Sequence, residues 1–389
     1  MKVVWMTSVY PSERNPGEGV FHETQVQELI KLGLEVTVIC PTPINPPLLR
    51  FLKASYRKKK SIPEVESRRG VTVYRPAYRA LPRQLIWAQP SKRMATAVLR
   101  VLNQYNLSPD LIHAHFAMPS GGAAAIVSDV THIPFLLTLH GSDVNVYPHY
   151  SKGAMTAFQT AVKKASVVLA VSEELVRKTK EMAQVDCEFI PLGIPLDTFS
   201  SGNEGKAHKR KQLGLPSHDK LVVFVGRLVK EKGVLELASA VRQLDGVKAV
   251  FIGKGPLEKE LSDHNDDSIL IIGQVPNEQV KNYLLAADLF VLPSYGEGMP
   301  TVVIEALALK VPVIATKVGG LPSLFSQYHD WLIEPRSSVQ LKESISSYLH
   351  EDRWNESLAD DLYEVIQSQF SSTHNAKRLV DQYKNVLNK

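Results

Sequence analysis

Two glutamates eight positions apart, Glu297 and Glu305, flank a Gly-Met-Pro segment that follows an apolar run. Proline suits the first helical turn, so a helix is predicted to begin near Pro300. Eight helical steps of roughly 100° would place two residues about 80° apart, so one continuous helix would not align the carboxylates. A loop glutamate and a helix glutamate can instead reach different parts of one ligand, such as two sets of sugar hydroxyls. The spacing alone also occurs by chance, and the surrounding Gly-Glu-Gly-Met-Pro makes it specific.

Two cations, Arg227 and Lys232, flank a turn after the apolar run 221–225. A guanidinium offers a planar fork of donors and an ammonium a mobile point charge, so together they could hold a diphosphate. The free amides of the helix near Pro300 would also suit phosphate. Taken alone, the two cations could equally be solvated surface residues, and that alternative stays open.

Glycines follow a further strand candidate, and a histidine follows another. Gly253 and Gly255 come after residues 249–252, where glycine lets a backbone approach a ligand closely. The third glycine of a dinucleotide fingerprint would fall at Glu258, so a Rossmann oxidoreductase is disfavoured. His140 ends the run 135–140 before a glycine turn, which favours a functional position. Of the 12 histidines most must be structural, including at least one of His113 and His115.

The elements that must position these residues alternate along the whole chain. Near-continuous apolar runs separated by helical patterns predict parallel sheets covered on both faces, an α/β fold of doubly wound, Rossmann-like domains. Proline and glycine interrupt both the helical and the strand pattern near residues 190–195, which marks the boundary between the two halves. The polar residues 200–211 are predicted to form a surface loop. Ligands of such sheets bind at the carboxyl ends of the strands, where the polar residues stand. The predicted strands are 3–9, 36–40, 71–74, 111–115, 135–140, 167–171, 221–225, 249–252, 269–272, 289–292 and 313–315.

Length and composition agree with this division. The 389 residues suggest two or three domains, and two cysteines exclude a disulfide scaffold or an all-cysteine zinc site. No run of about 18 apolar residues occurs, and the first run is too short for a signal peptide. We therefore expect a cytoplasmic protein.

The net charge of +5 is unevenly distributed. Residues 50–93 hold 13 basic and two acidic residues, which suggests an anionic partner. Leucine, phenylalanine and tyrosine are interleaved there, so a peripheral contact with an anionic membrane surface is favoured. Nucleic acid is disfavoured because no recognition module accompanies the segment, and a solvated basic loop remains an alternative. The predicted membrane or acceptor residues are Arg50, Lys53, Arg57, Lys58, Lys59 and Lys60.

Together these motifs resemble the retaining nucleotide-sugar glycosyltransferases of family four, which have the GT-B fold of two Rossmann-like domains facing across a cleft. The resemblance covers essentially the whole chain, and its most specific element is the E-x7-E pattern from Glu297 to Glu305. It implies an acceptor-side domain at 1–193, a donor-nucleotide domain at 194–370, and a last helix within 371–389 that packs back on the first domain. The motifs that carry it are Arg227 with Lys232, residues 253–256, residues 273–275 and the glycine-rich loop 17–19.

The resemblance also implies roles. Arg227 and Lys232 would stabilise the departing diphosphate, Glu297 and His140 would contact the donor sugar, and Glu305 would hold the ribose. Val275 would meet the nucleobase through its backbone. The implied catalytic residues are thus His140, Arg227, Lys232 and Glu297. The implied donor-binding residues are Gly17, Gly19, Gly253, Val275, Gly298, Met299, Pro300, Thr301 and Glu305.

The implied reaction moves a sugar from a nucleotide-sugar, by family frequency a UDP-sugar, to a glycan or lipid-linked acceptor. The run 7–25 resembles bacterial teichuronic acid biosynthesis glycosyltransferases, which would make the product a cell-wall polysaccharide. The chain has no D-x-D pattern, so neither a metal nor another cofactor is predicted. A sugar-nucleotide epimerase or phosphorylase, or a non-catalytic sugar-nucleotide binder of the same fold, remains open.

Overall fold

The computed structural model describes residues 1–44, 62–79, 90–200, 205–262, 266–350 and 354–388. The chain forms two compact units. Unit 1 comprises residues 1–191 and 375–389, and unit 2 comprises residues 192–374. The last helix therefore belongs to unit 1, although unit 2 precedes it in the sequence.

Unit 1 contains a large sheet, in which the strands 111–115 and 135–139 are buried along their whole length. The strands of unit 1 are β1 (Lys2–Met6), β2 (Glu35–Ile39), β3 (Thr42–Ile44), β4 (Val65–Arg68), β5 (Val71–Tyr74), β6 (Ala77–Arg79), β7 (Leu111–His115), β8 (Phe135–Leu139), β9 (Val167–Ala170) and β10 (Glu188–Phe189). Its helices are α1 (Val20–Lys31), α2 (Pro90–Gln104), α3 (Gly122–Thr131), α4 (Ser142–Asn145), α5 (Lys152–Lys164) and α6 (Glu173–Ala183). The sheet order is β10-β9-β8-β7-β1-β2-β5-β4, parallel except for β4, while β3 and β6 pair separately.

Unit 2 contains a six-stranded, wholly parallel sheet in the order β13-β12-β11-β14-β15-β16. Its strands are β11 (Lys220–Val225), β12 (Val247–Ile252), β13 (Ile269–Gly273), β14 (Leu289–Leu292), β15 (Val313–Thr316) and β16 (Leu332–Ile333). Its helices are α7 (Lys206–Leu213), α8 (Val234–Val241), α9 (Glu258–Ser262), α10 (Asn277–Ala286), α11 (Thr301–Ala308), α12 (Leu321–Phe325), α13 (Ser338–His350) and α14 (Glu356–Gln369). The chain ends with α15 (Ser372–Leu387).

Both sheets reverse their strand order next to their first strand. In unit 1 the reversal lies between β1 and β7, and in unit 2 between β11 and β14. Such switch points open a crevice at the carboxyl ends of the strands. The loops after β1, β7, β11 and β14 are therefore the expected ligand-binding positions.

Helix α15 closes the core of unit 1. Its Tyr383 is wholly buried among residues of β1, β2 and α1. Arg378 Nη2 donates to the Phe189 carbonyl at 2.6 Å, and Asn375 Nδ2 donates to the Pro191 carbonyl at 3.0 Å. The returning helix is thus attached to unit 1 by apolar packing and by hydrogen bonds to Phe189 and Pro191, where the chain passes from unit 1 to unit 2.

The predicted loop at 200–211 is wrong from Lys206 onward, because α7 begins there. Its Arg210 is buried and donates to the carbonyls of Ala286 and Asp219, both at 3.0 Å. Tertiary hydrogen bonds thus stabilise a helix whose polar sequence resembles a loop. No helix of the described ranges is both long enough and apolar enough to cross a bilayer.

Candidate active site

Lys232 and Glu297 meet at the switch point of unit 2. Lys232 ends a short 3-10 turn after β11, and Glu297 lies on the loop after β14. The Lys232 Nζ atom is 2.5 Å from Glu297 Oε1, with the side chains 28% and 10% exposed. Arg227 lies on the same loop as Lys232 and exposes its side chain. The structure therefore brings two predicted catalytic residues into contact, and a cation held this way can exchange its carboxylate partner for a phosphate.

Backbone contact between neighbouring loops explains the glycines of unit 2. A Cβ on Gly253, whose φ is 137°, would lie 1.9 Å from the Gly226 carbonyl oxygen. A Cβ on Gly255 would lie 2.1 Å from the Leu228 oxygen. The requirement for glycine at these two positions comes from loop packing, so close approach of a ligand is not needed to explain it.

Two features that sequence reasoning missed hold the Glu297 loop in place. The Tyr295 hydroxyl donates to Glu236 Oε1 at 2.5 Å, while the Tyr295 backbone N–H donates to the Glu231 carbonyl at 2.8 Å. Gly319, with a φ of 61°, packs its backbone so closely on Glu297 that a Cβ would lie 2.4 Å from the Glu297 oxygen. The glycine pair after β15 was a usable sequence signal for this contact, whereas the Tyr295 contact had none.

Helix α11 begins at Thr301, directly after Pro300, as predicted. Met299 and Pro300 are buried, and Gly298 accepts a hydrogen bond from Gly320 N at 2.8 Å. Glu305 lies within the helix, and its burial raises the pKa of the carboxyl to about 7.

Val275 follows a different strand from these groups. It is half-buried on the loop after β13, two positions beyond the end of the strand.

The glycine-rich loop of unit 1 follows β1. Gly19 has a φ of 76° and caps α1, and a Cβ there would lie 2.9 Å from the Val9 carbonyl oxygen. Gly17 is exposed two positions earlier. The buried Arg75 anchors the start of the loop by donating to the Pro11 carbonyl at 2.6 Å.

His140 stands at the carboxyl end of β8 and is half-buried. The buried Asp143 fixes its backbone, because Asp143 Oδ1 accepts from His140 N at 3.0 Å and from Gly141 N at 2.8 Å. Asp143 Oδ2 accepts from Ala117 N at 2.9 Å, which joins the loop after β8 to the loop after β7. Sequence reasoning missed Asp143, although an Asp three positions after a histidine at a glycine turn is a recognisable capping pattern.

Four histidine rings gather on one face of the unit 1 sheet around Trp5. His22, His113 and His115 are fully buried, and His140 adjoins them. Burial lowers the pKa of His113 and of His140 to about 3, and it also lowers the pKa values of His22 and His115. All four rings are therefore neutral near pH 7.

The hydrogen bonds of this cluster engage both ring nitrogens of His22 but only one each of His115 and His140. Ligand atoms of His22, His115 and His140 lie within 4.8 Å of one another. However, His22 Nδ1 accepts from the Trp5 indole at 3.3 Å, and His22 Nε2 is 2.9 Å from Thr7 Oγ1. His115 Nδ1 and His140 Nε2 are 3.0 Å apart and bond to each other. A metal bound by His22 would have to displace one of its bonds, whereas His115 Nε2 and His140 Nδ1 have no partner among the described residues. The expected absence of a metal cofactor stays a prediction.

The basic residues Arg50, Lys53, Arg57, Lys58, Lys59 and Lys60 lie outside the described residues.

Comparison with known proteins agrees with the geometry. Residues 17–198 match the family described as Glycosyltransferase Family 4, and residues 205–365 match the one described as Glycosyl transferases group 1. A protein of Bacillus subtilis (strain 168), provisionally named teichuronic acid biosynthesis glycosyltransferase TuaC, is 59% identical over 387 residues, which cover 99% of each chain. The chain belongs to glycosyltransferase family 4. This membership confirms the predicted glycosyltransferase and disfavours the epimerase and non-catalytic alternatives.

Solved structures show the fold of this family 4 glycosyltransferase. Sucrose-phosphate synthase from Thermosynechococcus elongatus superposes with a TM-score of 0.79 at 20% identity over 100% of both chains. Anabaena HepE in complex with UDP-glucose superposes with a TM-score of 0.74 at 19% identity, over 99% of this chain and 100% of HepE. The predicted α/β class and GT-B fold are confirmed.

Proposed function

We propose that this enzyme transfers a sugar from a UDP-sugar to a glycan or lipid-linked acceptor in the synthesis of a cell-wall polysaccharide. The transfer proceeds with retention of configuration and without a metal ion. The observation that carries the proposal is the Lys232–Glu297 pair, 2.5 Å apart, at the switch point where Arg227 also stands. The 59% identity to TuaC supports the polysaccharide, and the HepE complex with UDP-glucose supports the nucleotide.

The reaction requires stabilisation of a leaving diphosphate. As the bond from the sugar C1 to the phosphate oxygen breaks, negative charge grows on the diphosphate and positive charge on the sugar ring. Arg227, Lys232 and the N-terminal amides of α11 supply fixed positive charge that stabilises the negative charge on the diphosphate. Lys232 exchanges Glu297 for phosphate, which leaves the Glu297 carboxylate to accept hydrogen bonds from sugar hydroxyls.

Retention follows from attack on the face that the diphosphate leaves. The acceptor oxygen bonds to C1 while its proton passes to the departing phosphate oxygen, so no enzyme nucleophile is consumed. Neutral His140 contributes hydrogen bonding to the sugar without adding a charge that would oppose the cationic ring. In unit 2, Glu305 holds the ribose and Val275 meets the base.

The basic segment suits an acceptor that lies at an anionic membrane surface. Its six cations, Arg50, Lys53, Arg57, Lys58, Lys59 and Lys60, would give a peripheral attachment that weakens with salt. Cosedimentation with vesicles containing anionic lipid tests this attachment. Failure to bind at low salt would contradict it.

A transfer assay tests the function itself. Purified enzyme is incubated with each of several UDP-sugars and with lipid-linked saccharide acceptors, with and without EDTA. We expect one UDP-sugar to give a product whose new linkage has the anomeric configuration of the donor, at a rate that EDTA does not change. An inverted product or a requirement for metal would refute those two parts of the proposal. Release of free sugar and UDP without a product would refute transfer.

A further inference from the structure

His115 contacts His140 from a position that no substrate can reach. It ends β7 on the sheet face shared with β1 and β8, and its side chain has no exposed surface. Its Nδ1 atom lies 3.0 Å from His140 Nε2. His140 is the more exposed partner, at the carboxyl end of its strand. Any influence of His115 on a sugar must therefore act through His140.

The His115 ring packs against two other rings. The Trp5 ring lies 4.0 Å from it and the His113 ring 4.1 Å, measured between centroids. His113 is itself held on both sides, with Nδ1 2.7 Å from the Tyr383 hydroxyl and Nε2 2.7 Å from Thr138 Oγ1. A chain of packed and hydrogen-bonded groups thus runs from α15 to His140.

Two proton arrangements satisfy the bond between His115 and His140. In one, His115 Nδ1–H donates to His140 Nε2, and His140 carries its proton on Nδ1. In the other, His140 Nε2–H donates, and the buried His115 Nε2 carries a proton. Neither His115 Nε2 nor His140 Nδ1 has a partner among the described residues.

Burial does not distinguish the two arrangements, because His115 Nε2 and His140 Nδ1 are both buried atoms. A buried N–H without an acceptor costs about 1–3 kcal/mol, and each arrangement leaves one such N–H. In either arrangement the bond to His115 holds the His140 ring through its Nε2 atom.

We propose that His115 is a positioning residue that holds the His140 ring in place through the hydrogen bond between His115 Nδ1 and His140 Nε2. The proposal rests on the function proposed above. It assigns a role to the second histidine of the pair on β7, which has no direct contact with substrate.

The test compares His115→Asn with His115→Leu. The Asn amide occupies roughly the position of the histidine Nδ1 and can restore the bond to His140, whereas Leu fills the space without a polar atom. We expect His115→Leu to lower kcat at least tenfold with the Kd for UDP unchanged, and His115→Asn to stay within about threefold of the wild-type kcat. An unchanged kcat in His115→Leu, or an equal loss in both variants, would overturn the proposal.

A second readout does not depend on activity. In protein labelled with 15N-histidine, the two ring nitrogens of His140 report which one carries the proton. The expected result is that the His140 nitrogen signals change in His115→Leu, where the bond at Nε2 is lost, and that those of His115→Asn resemble the wild type. Unchanged signals in His115→Leu would refute the proposal even if transfer is confirmed. The expected changes in an enzyme that shows no transfer would instead locate the failure in the proposed function.

Discussion

In unit 1 the groups at the switch point are uncharged rings buried against β1 and β7, whereas in unit 2 they are charged groups on loops after β11 and β14. His22, His113 and His115 are fully enclosed, while Lys232 and Glu297 keep partial access to solvent. The two sheets place their first strands equivalently in their strand order. One scaffold thus supports neutral hydrogen bonding in one unit and fixed charge in the other.

The two units also position their groups by different means. Ring contacts and side-chain hydrogen bonds orient His140 in unit 1. Backbone contacts at glycines bring the loops of unit 2 together, as at Gly253 and Gly319. Unit 1 should therefore respond most strongly to pH, and unit 2 to added side-chain volume.

The largest expected effect is acid unfolding of unit 1. The folded-state pKa values of His22, His113 and His115 lie below the ordinary 6.5, so their stabilising contribution is complete above pH 6.5 and is lost as the pH falls. At pH 5 the His113 ring, with a folded-state pKa of about 3, removes about 2 kcal/mol, and His22 and His115 lower the stability in the same direction. As the pH is lowered, hydrogen exchange corrected for intrinsic rates should show that the amides of β7 lose protection at a higher pH than those of β11. Loss of protection at the same pH in both units would contradict the expected difference in their response to pH.

Next in size is the loss of transfer in Lys232→Ala. Removing a cation that stabilises the leaving group should lower kcat about 100- to 1,000-fold with the fold intact. Lys230→Ala is the matched control, since Lys230 is exposed on the same turn and should retain normal activity. Glu297→Ala should resemble Lys232→Ala. Near-normal kcat in either active-site variant would show that the site is assigned wrongly.

A smaller effect on stability is expected from Gly253→Ala. Its Cβ would overlap the Gly226 oxygen and its φ of 137° is strained for alanine, so unit 2 should lose about 3 kcal/mol. Gly246→Ala is the control, because it has a φ of 69° with no atom within 4 Å of the new Cβ and should lose about 1 kcal/mol. Urea denaturation measures both. Equal losses would mean that loop contact does not determine the requirement for glycine.

An effect of similar size concerns Glu305 in the absence of nucleotide. Its folded-state pKa of about 7 lies above the ordinary 4.5, so unit 2 loses stability as the pH rises from 4.5 through 7. Gln resembles the protonated carboxyl. We expect Glu305→Gln to be more stable than the wild type at pH 8 by about 3 kcal/mol, with little difference at pH 5. A difference that does not change with pH would contradict the burial of the carboxyl.

Much of the fold was predictable because parallel strands are nearly continuous apolar runs, such as β8 and β14. Helix α7 was not, since its stability depends on Arg210 reaching carbonyls distant in sequence. No local pattern distinguishes that arginine from a solvated one.

The charged half of the candidate site was easier to predict than the histidine half. Lys232 and Glu297 each follow a strand, and the strand order of a doubly wound sheet makes their loops neighbours. His22 lies on a helix, and its approach to His115 depends on how α1 packs against the sheet. Sequence spacing carries no information on that packing, so the cluster could not be predicted.

Calorimetric titration with UDP tests the division between the units most directly. Wild type, Lys232→Ala, Lys230→Ala and His140→Leu are compared, and kcat is measured for each. We predict that Lys232→Ala weakens UDP binding at least tenfold, while Lys230→Ala binds normally. His140→Leu should keep its Kd within about twofold and lose at least tenfold in kcat. Normal UDP binding by Lys232→Ala, or equal weakening in His140→Leu, would contradict the assignment of the diphosphate to Lys232 of unit 2 and of a contact with the sugar alone to His140 of unit 1.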